Sequence, residues 1–186
     1  ANLSTLIMSG GTSSLPLQLT GAGGSRSKAL NNLTIPQNSF VAIGSASGAF
    51  YISRVANISG ALDIISGKAL LLYGNNAVLS VASTGKITGA GQLRLDNYSK
   101  LALMDGTIDV TVLAIFGDHS TSASSIVPAT FNSPSIFIRN IRTDNLSFVP
   151  LSGTYTFNGA VTFGTHSSGS FTIDNSTNNP NFVFND

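Results

Sequence analysis

The chain has 186 residues and a net charge of +1, with only 9% charged residues, four lysines and no glutamate, cysteine or tryptophan. Since glutamate and lysine are the usual surface residues of helices, their scarcity predicts an all-β protein. The absence of cysteine excludes disulfides and thiolate metal sites. The lack of a Lys/Arg stripe argues against nucleic acid as a partner, and no stretch approaches the ~18 apolar residues of a membrane span.

Residues 1–31 are rich in Ser and Gly and are predicted to be an extended N-terminal arm. The two short apolar runs in this segment bury too little surface to offset its ordering entropy alone. The arm is therefore either a frayed terminus or an anchor that becomes ordered on a partner. In the second interpretation the partner-binding residues are the apolar Leu6, Ile7, Met8, Leu15 and Leu17 and the basic Arg26 and Lys28.

Residues 32–116 are predicted to form a domain of short β-strands. Apolar pairs with one intervening residue recur here between Gly, Asn and Asp residues, which is typical of strands with one buried face. A β-solenoid, or β-helix-like shaft, produces this pattern, and so does an antiparallel sandwich or barrel. The short strands and small turn residues favour the solenoid. The pairs are Leu33/Ile35, Val41/Ile43, Phe50/Ile52, Leu62/Ile64, Leu70/Leu72, Leu79/Val81, Leu93/Leu95, Leu101/Leu103 and Ile108/Val110.

Residues 117–134 are predicted to be a polar loop, and residues 135–186 a C-terminal antiparallel β unit rich in phenylalanine. Asn158-Gly159 separates two alternating runs, which predicts a tight hairpin over 154–163 with a type I′ turn. Asn178-Asn179-Pro180 predicts a second, looser hairpin. Such a unit would close a strand edge or supply an oligomer interface, since aromatic residues are enriched at interface cores. The interface residues predicted on this ground are Phe157, Phe163, Phe171, Phe182 and Phe184.

No motif in the chain predicts catalysis, a cofactor or a metal site. Asp118-His119-Ser120 has the residue types of a hydrolase triad, but the members of a triad converge from separated positions. The two histidines, His119 and His166, lie in Ser-rich segments without the spacing of metal ligands.

Glycosidic cleavage is the enzymatic activity that a solenoid would most readily carry, and it needs two facing carboxylates. The candidates are Asp63, Asp96, Asp105 and Asp109. Outward positions on strands account for Asp63 and Asp109, and turns account for the other two. The sequence therefore predicts that the protein is not an enzyme.

The chain combines a flexible head, a short-strand shaft and an aromatic tail with a Gly/Ser/Asn-rich, almost uncharged composition. In this it resembles virion surface proteins of tailed bacteriophages, namely capsid decoration (cement) proteins and fibre modules. The resemblance implies a non-enzymatic structural protein at the virion surface, assembled as a homotrimer and fastened to the capsid shell by its N-terminal arm. Symmetric association of apolar faces would also supply the core that a slender shaft lacks.

Two other functions fit the sequence. An exported cell-surface filament subunit or adhesin would be indicated by a signal peptide cleaved before Ala1 or by glycans on the N-x-S/T sequons, and its N-terminal segment would add a strand to a neighbouring subunit. The second alternative is a polysaccharide-cleaving spike, which would no longer cleave its glycan when its aspartates are substituted.

Overall fold

The computed structural model describes residues 5–20, 29–44, 48–73, 77–96, 100–104, 106–117, 130–140, 146–148, 152–164, 171–173 and 178–185. These residues form β-strands, turns and bends, and no helix among them is long and apolar enough to cross a membrane. The strands are β1 (Thr5–Ile7), β2 (Leu17–Leu19), β3 (Leu30–Ile35), β4 (Phe40–Ile43), β5 (Ala49–Ile58), β6 (Ala61–Ile64), β7 (Ala69–Tyr73), β8 (Val78–Val81), β9 (Lys86–Asp96), β10 (Lys100–Met104), β11 (Thr107–Gly117), β12 (Thr130–Phe131), β13 (Ser135–Asn140), β14 (Leu146–Phe148), β15 (Gly153–Phe157), β16 (Ala160–Gly164), β17 (Phe171–Ile173) and β18 (Pro180–Phe184).

The strands pair in parallel and form three ladders. The first ladder joins β1, β3, the second half of β5, β8 and β10. The second ladder joins β2, β4, β6, the first halves of β9 and β11, then β12, β15 and β18. The third ladder joins the first half of β5, β7, the second halves of β9 and β11, then β13 and β16. A separate parallel pair joins β14 and β17.

From β3 to β11 the chain visits the three ladders in turn, so each of these coils stacks on the coil before it. The predicted all-β, short-strand β-solenoid is therefore confirmed, and the alternative of an antiparallel sandwich or barrel does not describe these strands. Side chains that bond across neighbouring coils are 22 to 27 residues apart in the sequence. This is the length of one coil.

The core lies between the ladders because the inward positions repeat in every coil. In the second ladder Leu62, Ile87 and Ile108 are in register, and each is 0% exposed. Phe50 packs half-buried against the core, and the side chains of Leu101 and Leu103 lie outside the described residues. The predicted pairs in which both members are buried are Leu33/Ile35, Val41/Ile43, Leu62/Ile64, Leu70/Leu72, Leu79/Val81, Leu93/Leu95 and Ile108/Val110.

The C-terminal strands continue the solenoid, so the predicted antiparallel unit and both of its hairpins are wrong. β15 pairs in parallel with β12 and β18, β16 pairs with β13, and β17 pairs with β14. Asn158-Gly159 takes the chain from the second ladder to the third instead of back along one sheet. A type I′ turn requires a positive φ at both central residues, and neither Asn158 nor Gly159 has one.

Close stacking of coils explains why glycine occupies position 159. A Cβ on Gly159 would collide with the carbonyl oxygen of Ser133 and would lie 2.8 Å from the Cα of Pro134, both in the preceding coil. Real Cβ contacts are essentially never that short. The same dipeptide that signals a hairpin therefore serves here as a solenoid corner.

Aromatic rings continue the aliphatic core column towards the last coil. Phe131 registers with Ile108, and the rings of Phe131 and Phe157 stack with centroids 5.2 Å apart. The ring of Phe184 follows at 5.4 Å from that of Phe157. Phe131 and Phe157 thus fill the interior of successive coils.

The described part of the predicted N-terminal arm forms the first coil of the solenoid. β1 pairs with β3 and β2 pairs with β4, in the register of the later coils. Leu19 is buried in the core. The predicted arm boundary at residue 31 therefore falls inside β3. The predicted polar loop, residues 117–134, lies mostly outside the described residues and contains β12 near its end.

Candidate functional site

The predicted anchoring residues divide into two groups in the first coil. Leu6, Met8 and Leu17 pack against the chain's own core. Ile7 and Leu15 point away from it and are 63% and 77% exposed. Arg26 and Lys28 lie outside the described residues. The apolar surface that a partner could contact in this coil is therefore that of Ile7 and Leu15.

A tight turn presents Leu15 to solvent. The backbone amide of Leu15 donates to the carbonyl oxygen of Thr12 at 3.1 Å, and the amide of Thr12 donates to the carbonyl oxygen of Leu15 at 3.0 Å. The Thr12 hydroxyl also accepts from the Leu15 amide at 3.0 Å. These bonds fix the turn, so Leu15 projects from a defined backbone.

The predicted oligomer interface is wrong for Phe157. Phe157 is 1% exposed and stacks inside the chain's own core, so it is not available to a partner. Phe163 and Phe182 are half-buried against the core, while Phe184 in the last strand is 50% exposed. The side chain of Phe171 lies outside the described residues.

Most of the candidate chemical groups also lie outside the described residues: Asp105, Asp118, His119, Ser120, His166 and the side chain of Asp96. Asp63 and Asp109 are described and occupy the same outward column of the second ladder, with Thr88 between them. Two rungs of a sheet separate their backbones by about 9.6 Å. The groove that Asp63 lines does not reach Asp109. In the described part of the chain, no three His, Cys, Asp or Glu residues are grouped so as to hold a metal ion.

Two adjoining grooves occupy the outer face of the second ladder near its corner with the first. Phe40, Ala61 and Lys86 lie in one outward column on three successive coils. Because the methyl group of Ala61 stands between two long side chains, a depression forms there. The grooves have volumes of about 350 and 280 Å³, and Phe40 and Ala61 line both.

An asparagine ladder runs along the corner between the second and third ladders. The Asn158 amide nitrogen donates to Oδ1 of Asn132 at 2.6 Å, and that of Asn185 donates to Oδ1 of Asn158 at 2.9 Å. An amide both donates and accepts, so identical residues can repeat the bond from coil to coil. The ladder stabilises the corner and holds successive coils in register.

Sequence reasoning missed both the grooves and the asparagine ladder. Each depends on which residues of different coils share a column, and short apolar pairs do not define that register. The only local signal was Asn at the end of three aromatic strands, at Asn132, Asn158 and Asn185.

Comparisons of the chain with protein-family models, with curated proteins and with solved structures found no match. Function is therefore inferred from the fold and surface chemistry of this chain.

Proposed function

We propose that the protein is a non-enzymatic structural protein of a virion surface, of the capsid decoration (cement) or fibre type. The observation that carries the proposal is the unbroken second ladder, in which eight strands stack in register from β2 to β18. At about 4.8 Å per rung this column is about 34 Å long. A rod with such a core is suited to a mechanical role.

Attachment is assigned to the first coil. Ile7 and Leu15 are large apolar side chains on a backbone that the solenoid and the Thr12–Leu15 turn hold in place. Large apolar side chains at the surface lose contact with water when a partner covers them, which favours association. In this proposal they contact the capsid shell, and the remainder of the rod projects outward.

Homo-oligomerisation stays a prediction, but the supply of a missing core is no longer a reason for it. The single chain already encloses a core with Leu33, Ile58, Leu70 and Ile136 fully or almost fully buried. A trimer is therefore not required to supply a missing core. Association would instead use outer faces, where Phe184 is exposed among those members of the predicted interface set whose side chains the structure describes.

The location can be tested by immunogold electron microscopy of virion and cell-envelope fractions from the organism that encodes the protein, with antibody raised against the purified chain. Gold on virions is the expected result. Gold on cell envelopes but not on virions would overturn the proposal in favour of a cell-surface filament subunit or adhesin.

The attachment surface can be tested by cosedimentation of purified chain with virions that lack it. The double variant Ile7→Ser, Leu15→Ser should remain folded but lose most cosedimentation. Ile65→Ser is the matched control, because Ile65 is also an exposed apolar residue, at 38%, but lies at a corner of a different coil. Equal binding by the double variant and the control would refute the assignment.

A further inference from the structure

The paired grooves around Phe40 have a floor that the backbone fixes. A Cβ on Gly60 would collide with the carbonyl oxygen of Pro36, and its approach to that of Ser39 would be almost as close, so only glycine fits this position. The amide of Ala61 donates to the Ser39 carbonyl oxygen at 2.8 Å, and the amide of Lys86 donates to that of Gly60 at 2.9 Å. These bonds belong to the coil-to-coil ladder. The depression therefore exists before any ligand arrives.

Uncharged hydrogen-bonding groups surround the larger groove. The amide side chains of Gln37 and Asn38 and the hydroxyl of Ser59 line it. The Thr84 hydroxyl also lines it, and because it donates to the Ser59 carbonyl oxygen at 2.8 Å it can only accept from a ligand. Amides and hydroxyls each both donate and accept. Such groups match a ligand whose own groups donate and accept at the same atom, as sugar hydroxyls do.

Asn38, which lines the larger groove, has an unusual backbone conformation. It is the only non-glycine residue with a positive φ, 61°, among those the structure describes. Asparagine tolerates this region better than most residues. Asn38 is exposed and lines the groove, so its amide is accessible to a ligand.

An aromatic ring separates the two grooves. Phe40 is half-buried on the outer face and lines both of them. A ring at the surface offers an apolar face on which a flat apolar surface can stack. The CH face of a pyranose is such a surface. Stacking together with neutral amides and hydroxyls is the combination that recognises saccharides.

The charges of the grooves argue against anionic ligands. Lys86 lines the larger groove and Asp63 lines the smaller. Together the two grooves therefore carry one cation and one carboxylate, and their summed charge is close to zero. A polyanion is bound most strongly by clustered Lys and Arg residues, and among the residues that line the grooves Lys86 is the single cation.

We propose that the grooves on either side of Phe40 bind a neutral saccharide, with sugar rings stacked on Phe40 and hydroxyls bonded by the amides of Gln37 and Asn38. The site spans several coils and requires their register. It is independent of the virion assignment, because a solenoid on a virion and one on a cell would bind the sugar alike.

The test is a glycan array that carries neutral glucans, mannans, galactans and N-acetylhexosamine oligosaccharides beside sialylated and sulfated glycans. The full chain should bind at least one neutral class. Phe40→Ala should weaken that binding about tenfold or more, since it removes the stacking surface. Ala61→Phe should abolish it by filling the depression.

Matched controls keep the outcome unambiguous. Tyr51→Ala removes a half-buried aromatic side chain from the third ladder and should bind the array as the unaltered chain does. Thermal unfolding followed by far-ultraviolet circular dichroism should show all variants folded. The proposal is overturned if no neutral glycan binds, if only acidic glycans bind, or if Phe40→Ala and Ala61→Phe bind like the control.

Discussion

Individual glycines set how closely successive coils approach at the corner between the first and second ladders. A Cβ on Gly85 would collide with the carbonyl oxygen of Ile58 and would lie 3.0 Å from Cγ1 of Val81. A Cβ on Gly106 would meet the carbonyl oxygens of Ala82 and Gly85. Glycine at these positions is therefore demanded by the coil beneath and not by backbone dihedral angles.

Substitution of Gly85 by alanine should lower the free energy of unfolding by about 1–3 kcal/mol, because the added methyl group overpacks the corner. The control is Gly48→Ala. Gly48 has no heavy atom within 4 Å of an added Cβ and no positive φ, so alanine there should be neutral or stabilise by about 0.4–1 kcal/mol. Urea unfolding of the two variants measures the difference. Equal midpoints would contradict the close stacking of coils.

At the scale of the element, the aromatic column of β12, β15 and β18 supplies a large share of the C-terminal core. Phe131 is 0% and Phe157 1% exposed, and their rings lie nearly parallel, at 12°. Phe157 has a ring on each side, Phe131 and Phe184, whereas Phe184 is half exposed. The burial of each ring therefore depends on its coil having a neighbour on both sides.

Phe157→Ala should cost about 3–5 kcal/mol of stability, because it opens a cavity and removes the ring contacts with Phe131, Phe182 and Phe184. Phe184→Ala is the matched control and should cost clearly less, since half of that side chain is already in water. Chemical denaturation followed by circular dichroism measures both. Losses of equal size would show that the column is not the core of the last coils.

The strands of the shaft could be predicted from the sequence, whereas their partners could not. The alternation of Leu62 and Ile64, or of Leu79 and Val81, defines a buried face within a few residues, and the structure buries all four. The hairpin signal at Asn158-Gly159 is equally local, but the partner of each flanking strand lies a full coil away. Local turn preference was therefore overridden by stacking between coils.

The candidate site was beyond prediction for the same reason. Phe40, Ala61 and Lys86 have no visible relation in the sequence, and only the register of β4, β6 and β9 aligns them. The sequence predicts Ile7 and Leu15 as contact residues, and the structure exposes both. Leu6 and Leu17 are predicted in the same set, but they pack against the core because β1 pairs with β3 and β2 pairs with β4.

On the scale of the whole molecule, each coil is stabilised mainly by its two neighbours, as in other solenoids. The first coil is therefore part of the fold. β1 covers the edge of β3, and β2 covers that of β4. Leu33 and Val41, at 0% and 1% exposure, lie in the coil directly beneath.

Removal of residues 1–31 should therefore destabilise the solenoid by about 2–4 kcal/mol, since it uncovers the side chains of Leu33 and Val41 and two strand edges. Urea unfolding of the truncated chain measures the loss. The double variant Ile7→Ser, Leu15→Ser is the control, because both side chains are already largely in water and should leave the unfolding midpoint nearly unchanged. If the truncated chain is as stable as the full chain, residues 1–31 act as a separate arm. If the double variant unfolds at a lower urea concentration than the full chain, Ile7 and Leu15 belong to the packed core.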